Sequence, residues 1–134
     1  MHEHGRITFL GETYELKDCK AAYFRDQVQF ECSGPDVFFS FYKLRIRDAE
    51  SVASYQDYSL SSDNDDGDLG DYAKFTFFDQ DCEFDGEWEV TCLTANQEKG
   101  VMAFEWNFVI LYGSGRIPKR KRMRGSARCT LTIH

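Results

Sequence analysis

The run VMAFEWNFVILY at residues 101–112 constrains this chain more than any other stretch. Met102, Phe104, Trp106, Phe108, Ile110 and Tyr112 fall on every second position, the period of a β-strand with one face in a core. The other parity, Val101, Ala103, Glu105, Asn107, Val109 and Leu111, is also apolar in part, so the strand is expected to be central and largely covered. As a helix the same run would be apolar on every side, uncapped and burdened with β-branched residues. A strand is the better reading, and the rest of the chain must supply its neighbours.

Further alternating stretches do so. Two short strands are expected at residues 6–10 and 13–19, joined at Gly11 and Glu12, with Tyr14 and Leu16 pointing the same way. In 23–32, Phe24, Val28, Phe30 and Cys32 oppose Arg25, Gln27, Gln29 and Glu31, the pattern of a strand with one wet face. Ser33-Gly34-Pro35-Asp36 signals a turn into a strand at 37–47, whose parity predicts Phe38, Tyr42, Leu44 and Ile46 inside. Residues 48–54 offer the one helical turn, with acidic residues early in it. Strands are expected again at 55–60, 72–78, 87–94 and 123–133, with a polar loop at 61–71 and a tight turn at Asp85-Gly86. The class is therefore all-β: one domain over 1–134, an antiparallel β-sandwich or flattened barrel of eight to nine strands with at most one short helical turn. Phe39 and Phe41, opposite in parity to Phe38 and Tyr42, call for a second layer around the core.

The length and composition agree with a self-sufficient core. A chain of 134 residues buries roughly two-thirds of its unfolded surface, and 12 Phe, 7 Tyr and 2 Trp fill that interior without metal or disulfide support. The five cysteines are odd in number, and no two have CxxC spacing. Cys32, Cys92 and Cys129 share parity with apolar neighbours and read as small buried thiols, whereas Cys19 and Cys82, near strand ends, leave a disulfide open. A net charge of −7 disfavours nucleic acid as a partner and suits a cationic one. No apolar run approaches the ~20 residues of a membrane-spanning helix. The expected location is the cytoplasm if Met1 is the native start, and the cell envelope or the exterior if the chain is a trimmed mature domain.

GRITFLGETYEL, the aromatic pair Tyr23-Phe24, DVFFSFYKL and FDGEWEVT together give a layout that resembles small bacterial envelope domains of the lipoprotein-type, calycin-like barrel or sandwich kind. The resemblance spans most of the chain and rests on strand spacing and turn residues. It implies a non-enzymatic binding or interaction module.

Two stretches carry candidate chemistry. Ser62, Asn64, Asp66 and Asp68 lie at alternating positions around Gly67, as oxygen ligands do in a Ca²⁺ loop. Position 12 of that register is Ala73 where a bidentate Glu belongs, and Asp and Asn also favour turns for local reasons, so a solvated connection is the competing reading. Beyond this Ca²⁺, no cofactor is expected. The second stretch is basic: Arg116, Lys119, Arg120, Lys121, Arg122 and Arg124, followed by Arg128. If residues 113–116 turn the last strand back on 101–112, Trp106 faces Met123 inside and Glu105 faces Arg124 outside. Glu105, Arg116, Lys119, Arg120, Arg122, Arg124 and Arg128 then form an interaction surface, or else a charged strand guarded against edge-to-edge pairing.

No catalytic constellation accompanies these features. The histidines are His2, His4 and His134, all terminal, so no Ser–His or Cys–His system can be assembled in an interior. The expected function is that of an interaction module of immunity, inhibitor or envelope type, acting as a monomer or weak homodimer on a protein partner. The alternatives are a barrel that holds an apolar small molecule and a Ca²⁺-dependent adhesion or carbohydrate-binding module.

Overall fold

The computed structural model describes residues 4–24, 27–45, 58–61, 73–96, 100–113 and 116–133. These form ten strands and no helix: β1 (His4–Phe9), β2 (Glu12–Leu16), β3 (Asp18–Phe24), β4 (Gln27–Ser33), β5 (Val37–Arg45), β6 (Tyr58–Ser61), β7 (Ala73–Phe77), β8 (Gln80–Asn96), β9 (Val101–Tyr112) and β10 (Lys119–Ile133). The all-β class is as the alternation predicted. The expected helical turn at 48–54 and the Ca²⁺ ligands Ser62, Asn64, Asp66 and Asp68 lie outside the described residues.

Hydrogen bonding runs β10-β3-β4-β5-β7-β8 and returns through β9 to β10, so the sheet closes on itself. Three long strands make this closure. β9 lies between β8 and β10 along its whole length. The opposite edge of β10 is shared: residues 123–128 pair with β1 and 130–133 with β3. β8 likewise serves β7 at its start and β6 further on. Every pairing is antiparallel except the four-residue β10–β3 seam, a parallel contact that antiparallel periodicity does not foretell.

The ring is flattened by what fills it. β4 and β5 face β9 across the interior through stacked rings: Phe30 on Phe104 with centroids 4.2 Å apart, and Phe39 on Trp106 at 4.6 Å. Trp88 from β8 lies parallel to Phe108 at 5.8 Å. At one end Phe9, Phe75, Phe77 and Tyr112 meet edge to face, the geometry preferred by the ring quadrupole. Phe9, Phe30, Phe39, Phe41, Phe75, Phe104 and Phe108 are all fully buried. Such a sandwich-like barrel answers the need for two apolar layers.

Four expectations are corrected. First, the buried apolar residues of β5 are Val37, Phe39 and Phe41, with Ser40 buried beside them, while Phe38 is half-buried and Tyr42 is exposed. The run VFFSFY is aromatic on both parities, so its inner face is set by the register with β4, where Phe30 lies opposite Phe41. A register shift between Val28 and Phe30 then puts Leu44, not Lys43, opposite Val28. Second, the expected strand at 23–32 is a hairpin whose arms are β3 and β4, and Lys17 separates β2 from β3.

Third, Asp85-Gly86 is not a turn. β8 runs straight through it, and the pair sits in a register shift between Phe84 and Trp88. The chain reverses at Phe78 and Asp79, both left-handed (φ 48° and 65°), with Phe77 opposite Gln80. Those are the backbone angles of a two-residue hairpin turn, but neither residue is the Asn or Gly that announces one.

Fourth, the β9–β10 hairpin forms with its register displaced by two residues. Trp106 lies opposite Gly125 and Glu105 opposite Ser126, while Met123 faces Phe108 and Arg124 faces Asn107. The expected pairing assumed a four-residue loop. Tyr112 pairs with Lys119 instead, which leaves Ile117 and Pro118 in the connection. Pro118 has no N–H to give to a ladder, so pairing starts after it.

Candidate functional site

Alternation along β10 sends Met123, Ala127, Cys129 and Leu131 into the core and Arg120, Arg122 and Arg124 to the outer surface, as the sequence predicted. On that surface two cross-strand rows run over four strands. One is Arg6–Ser126–Glu105–Thr91 and the other Thr8–Arg124–Asn107–Glu89, each crossing β1, β10, β9 and β8 in turn. All of these but Thr91 line a polar groove of about 500 Å³. Glu105, Asn107 and Arg124, all expected on this face, meet here with Arg6, Thr8, Glu89 and Ser126, which were not. The parity of β1 was legible, but its position beside β10 was not, because the two strands lie at opposite ends of the chain.

The basic residues have different fates. Arg120 Nε donates to Asp85 Oδ2 at 2.7 Å, an ion pair that exists because the β8 irregularity carries Asp85 toward β10. Arg122 Nη1 donates to Asn107 Oδ1 at 2.7 Å. Arg116, Lys119, Lys121 and Arg124 are exposed and close no ion pair among the described residues. Lys121 shares the parity of buried Met123 but is solvated, so the hairpin end extends past the core. At its tip Ile117 is 86% exposed, flanked by Arg116 and Lys119.

Arg128 stands apart from the other six predicted surface residues. It is half-buried opposite Ala103 and His4, with its Nε shielded from solvent and without a hydrogen-bond acceptor. It lines a second groove, of about 790 Å³, together with His4, Arg6, Glu15, Lys17 and Ala127.

Inside the barrel, beside that groove, three thiols converge. Cys19 and Cys32 are direct partners on β3 and β4. Cys129 precedes Thr130, which pairs with Lys20 at the β10–β3 seam, so it sits on the other side of Cys19. All three are buried and free, and each hydrogen-bonds with the other two. Hydrogen bonds from Cys129 and then Cys32 lower the Cys19 pKa against the opposing effects of burial and the Asp18 carboxylate, with a smaller lowering from His4. The Cys32 pKa is raised by its hydrogen bonds with Cys129 and Cys19 and by burial. The disulfide left open between Cys19 and Cys82 is not formed: both thiols are free, on strands β3 and β8, which do not pair. Among the described residues no group of three or more His, Cys, Asp or Glu is placed to hold a metal ion.

Compared with known proteins, the chain matches no protein-family model, no curated protein and no solved structure. The reading of this surface therefore rests on its own geometry. Among the described residues no helix is long and apolar enough to cross a membrane.

Proposed function

We propose that this domain is a non-catalytic interaction module whose β9–β10 hairpin docks an acidic face of a protein partner. The observation that carries the reading is the concentration of uncompensated positive charge at the hairpin end. Arg116, Lys119 and Lys121 are solvated and without an ion pair among the described residues, on a chain whose net charge is −7. Exposed Ile117 at their centre supplies the apolar anchor that a purely solubilising charged edge does not need. Opposite charge across such a contact steers encounter and fixes orientation more than it adds raw affinity.

The interior supports a surface role over the holding of an apolar small molecule. Aromatic rings stacked at 4.2 and 4.6 Å occupy the middle of the barrel, and the groove of about 500 Å³ on the outside is lined largely by polar side chains. An interaction role is also what the layout-level likeness to envelope domains implies.

The test is a photo-crosslinking amino acid placed at Ile117 in cells of the source organism. A discrete crosslinked protein is expected, and its yield should fall at least tenfold when Arg116, Lys119 and Lys121 are replaced by Glu. A yield indifferent to that charge reversal, or no crosslinked species at all, would sink the proposal.

A further inference from the structure

We propose that Cys19 and Cys129 form a reversible, peroxide-driven disulfide that staples the seam where the barrel closes. Three observations support this. The two residues lie on adjacent strands, each one position before the Thr130–Lys20 pair that opens the β10–β3 seam, and neighbouring strands are spaced within a disulfide's reach. Their side chains point into the same interior and already touch. The seam itself is the short, parallel, four-residue contact on which ring closure depends, the pairing geometry with least stability per residue.

Access distinguishes Cys129 from Cys32 as the partner of Cys19. The groove of about 790 Å³ is walled by Lys17, two residues before Cys19, and by Ala127 and Arg128, which immediately precede Cys129. Cys32 lies on β4, on the side of β3 away from β10 and this groove. Hydrogen peroxide, an oxidant small and neutral enough to enter on local opening, reaches the Cys19–Cys129 pair first. His4, Lys17 and Arg128 favour the thiolate that attacks, while burial of Cys19 and the neighbouring Asp18 carboxylate work against it. Glu15, the carboxylate on the groove wall, also works against it.

The chemistry balances in two steps. The Cys19 thiolate attacks one peroxide oxygen, forming S–O as O–O breaks, and the departing hydroxide takes up the thiol proton to leave as water. The Cys129 sulfur then attacks the Cys19 sulfenic acid, forming S–S as S–O breaks, and the second hydroxide leaves as water with the Cys129 proton. Two thiols and one peroxide give one disulfide and two waters. A thiol reductant reverses it. Cys32, hydrogen-bonded to both, remains a thiol.

The experiment exposes the folded, reduced protein to hydrogen peroxide, blocks residual thiols by alkylation and maps linked peptides by mass spectrometry. A Cys19–Cys129 link is expected. It should raise the melting temperature by roughly 10 °C because it closes a long loop, and a thiol reductant should undo the rise. Cys32→Ala should keep the link and Cys129→Ala should lose both link and shift. A Cys19–Cys32 link in the wild-type protein overturns the assignment. So does a link seen only in urea, or no link under peroxide that already oxidises half-buried Cys82. The wild-type peptide map decides the matter even if Cys129→Ala fails to fold.

Discussion

Replacing Gly125 with Ala tests the β9–β10 register and the packing of the core together. Gly125 lies opposite Trp106, and a Cβ built there falls inside van der Waals contact of the indole atoms Cε2, Cζ2 and Nε1. Backbone conformation is not the reason for glycine here, since Gly125 is not among the positive-φ residues. The indole has little freedom to yield: it stacks on Phe39, tilts against Phe30 at 5.6 Å and donates Nε1–H to Met123 Sδ at 3.2 Å. Restoring ordinary contact requires a shift of roughly 1 Å or more in a side chain only 3% exposed. Overpacking of this kind costs about 1–3 kcal/mol, and disturbing the stack adds about 0.5–1.5 kcal/mol. The lower chain entropy of Ala in the unfolded state offsets about 0.4–1 kcal/mol. The expected net loss is about 2–3 kcal/mol, a fall in melting temperature of roughly 8–12 °C for a domain of this size.

Equilibrium urea unfolding, followed by far-ultraviolet circular dichroism and tryptophan fluorescence, measures that loss. Gly125→Ala should cost much less in a Trp106→Phe background, where the clashing ring system is smaller. A coupling of at least about 1 kcal/mol between the two sites is expected. The reasoning fails if Gly125→Ala lies within about 0.5 kcal/mol of wild type, or if the two substitutions are additive. Under the four-residue loop assumed from sequence, Gly125 would face Phe104 instead, and its coupling to Trp106 would be lost.

Other perturbations follow from named features. Asp79→Gly should stabilise by about 1 kcal/mol, because Asp79 holds a left-handed φ of 65° in the two-residue turn; an unchanged or lower urea midpoint would contradict that. Asp85→Asn removes the carboxylate from Arg120, yet both side chains are well exposed, so the expected cost is under about 1 kcal/mol and should shrink further in high salt. A loss above about 2 kcal/mol would mean the pair holds the β8 irregularity in place. The Tyr14 pKa is raised by desolvation first and then by the charge and hydrogen bond of Glu12. Any stability linked to Tyr14 is thus fully present below pH 10.0, the ordinary value, and lost as pH rises through the higher folded value. Glu12→Gln should move the phenolate absorbance titration of Tyr14 downward, and an upward or null movement would refute the assignment.

What the sequence made legible is what depends on one strand alone. In β9 the inner face was readable because Phe104, Trp106 and Phe108 are larger and more apolar than Glu105 and Asn107 beside them. In β5 the same reasoning failed because Phe38, Phe39, Phe41 and Tyr42 are aromatic on both parities, and the pairing with β4 decided the face. The turn at Phe78 and Asp79 was hidden because its residues lack the left-handed preference its geometry demands, while Asp85-Gly86 has that preference and occupies a bulge. The basic surface was legible as a charge run, but the grooves beside it required β1 to lie next to β10, a contact between chain ends. The thiol cluster was hidden for the same reason, since Cys129 reaches Cys19 only through ring closure.

These outcomes converge on β10, which pairs with three strands, as β8 also does, and carries opposite chemistry on its two sides. Inward, Met123, Ala127 and Cys129 are fixed by the core, so changes there propagate to β1, β3 and β9 at once. Outward, Arg120, Arg122 and Arg124 border solvent, and a substitution there alters charge while leaving the packing intact. Charge reversal of Arg124 should therefore leave stability within about 0.5 kcal/mol, as for surface sites generally. A barrel that keeps its fold while its hairpin charge is inverted would separate recognition from folding, as the proposed docking of this hairpin requires.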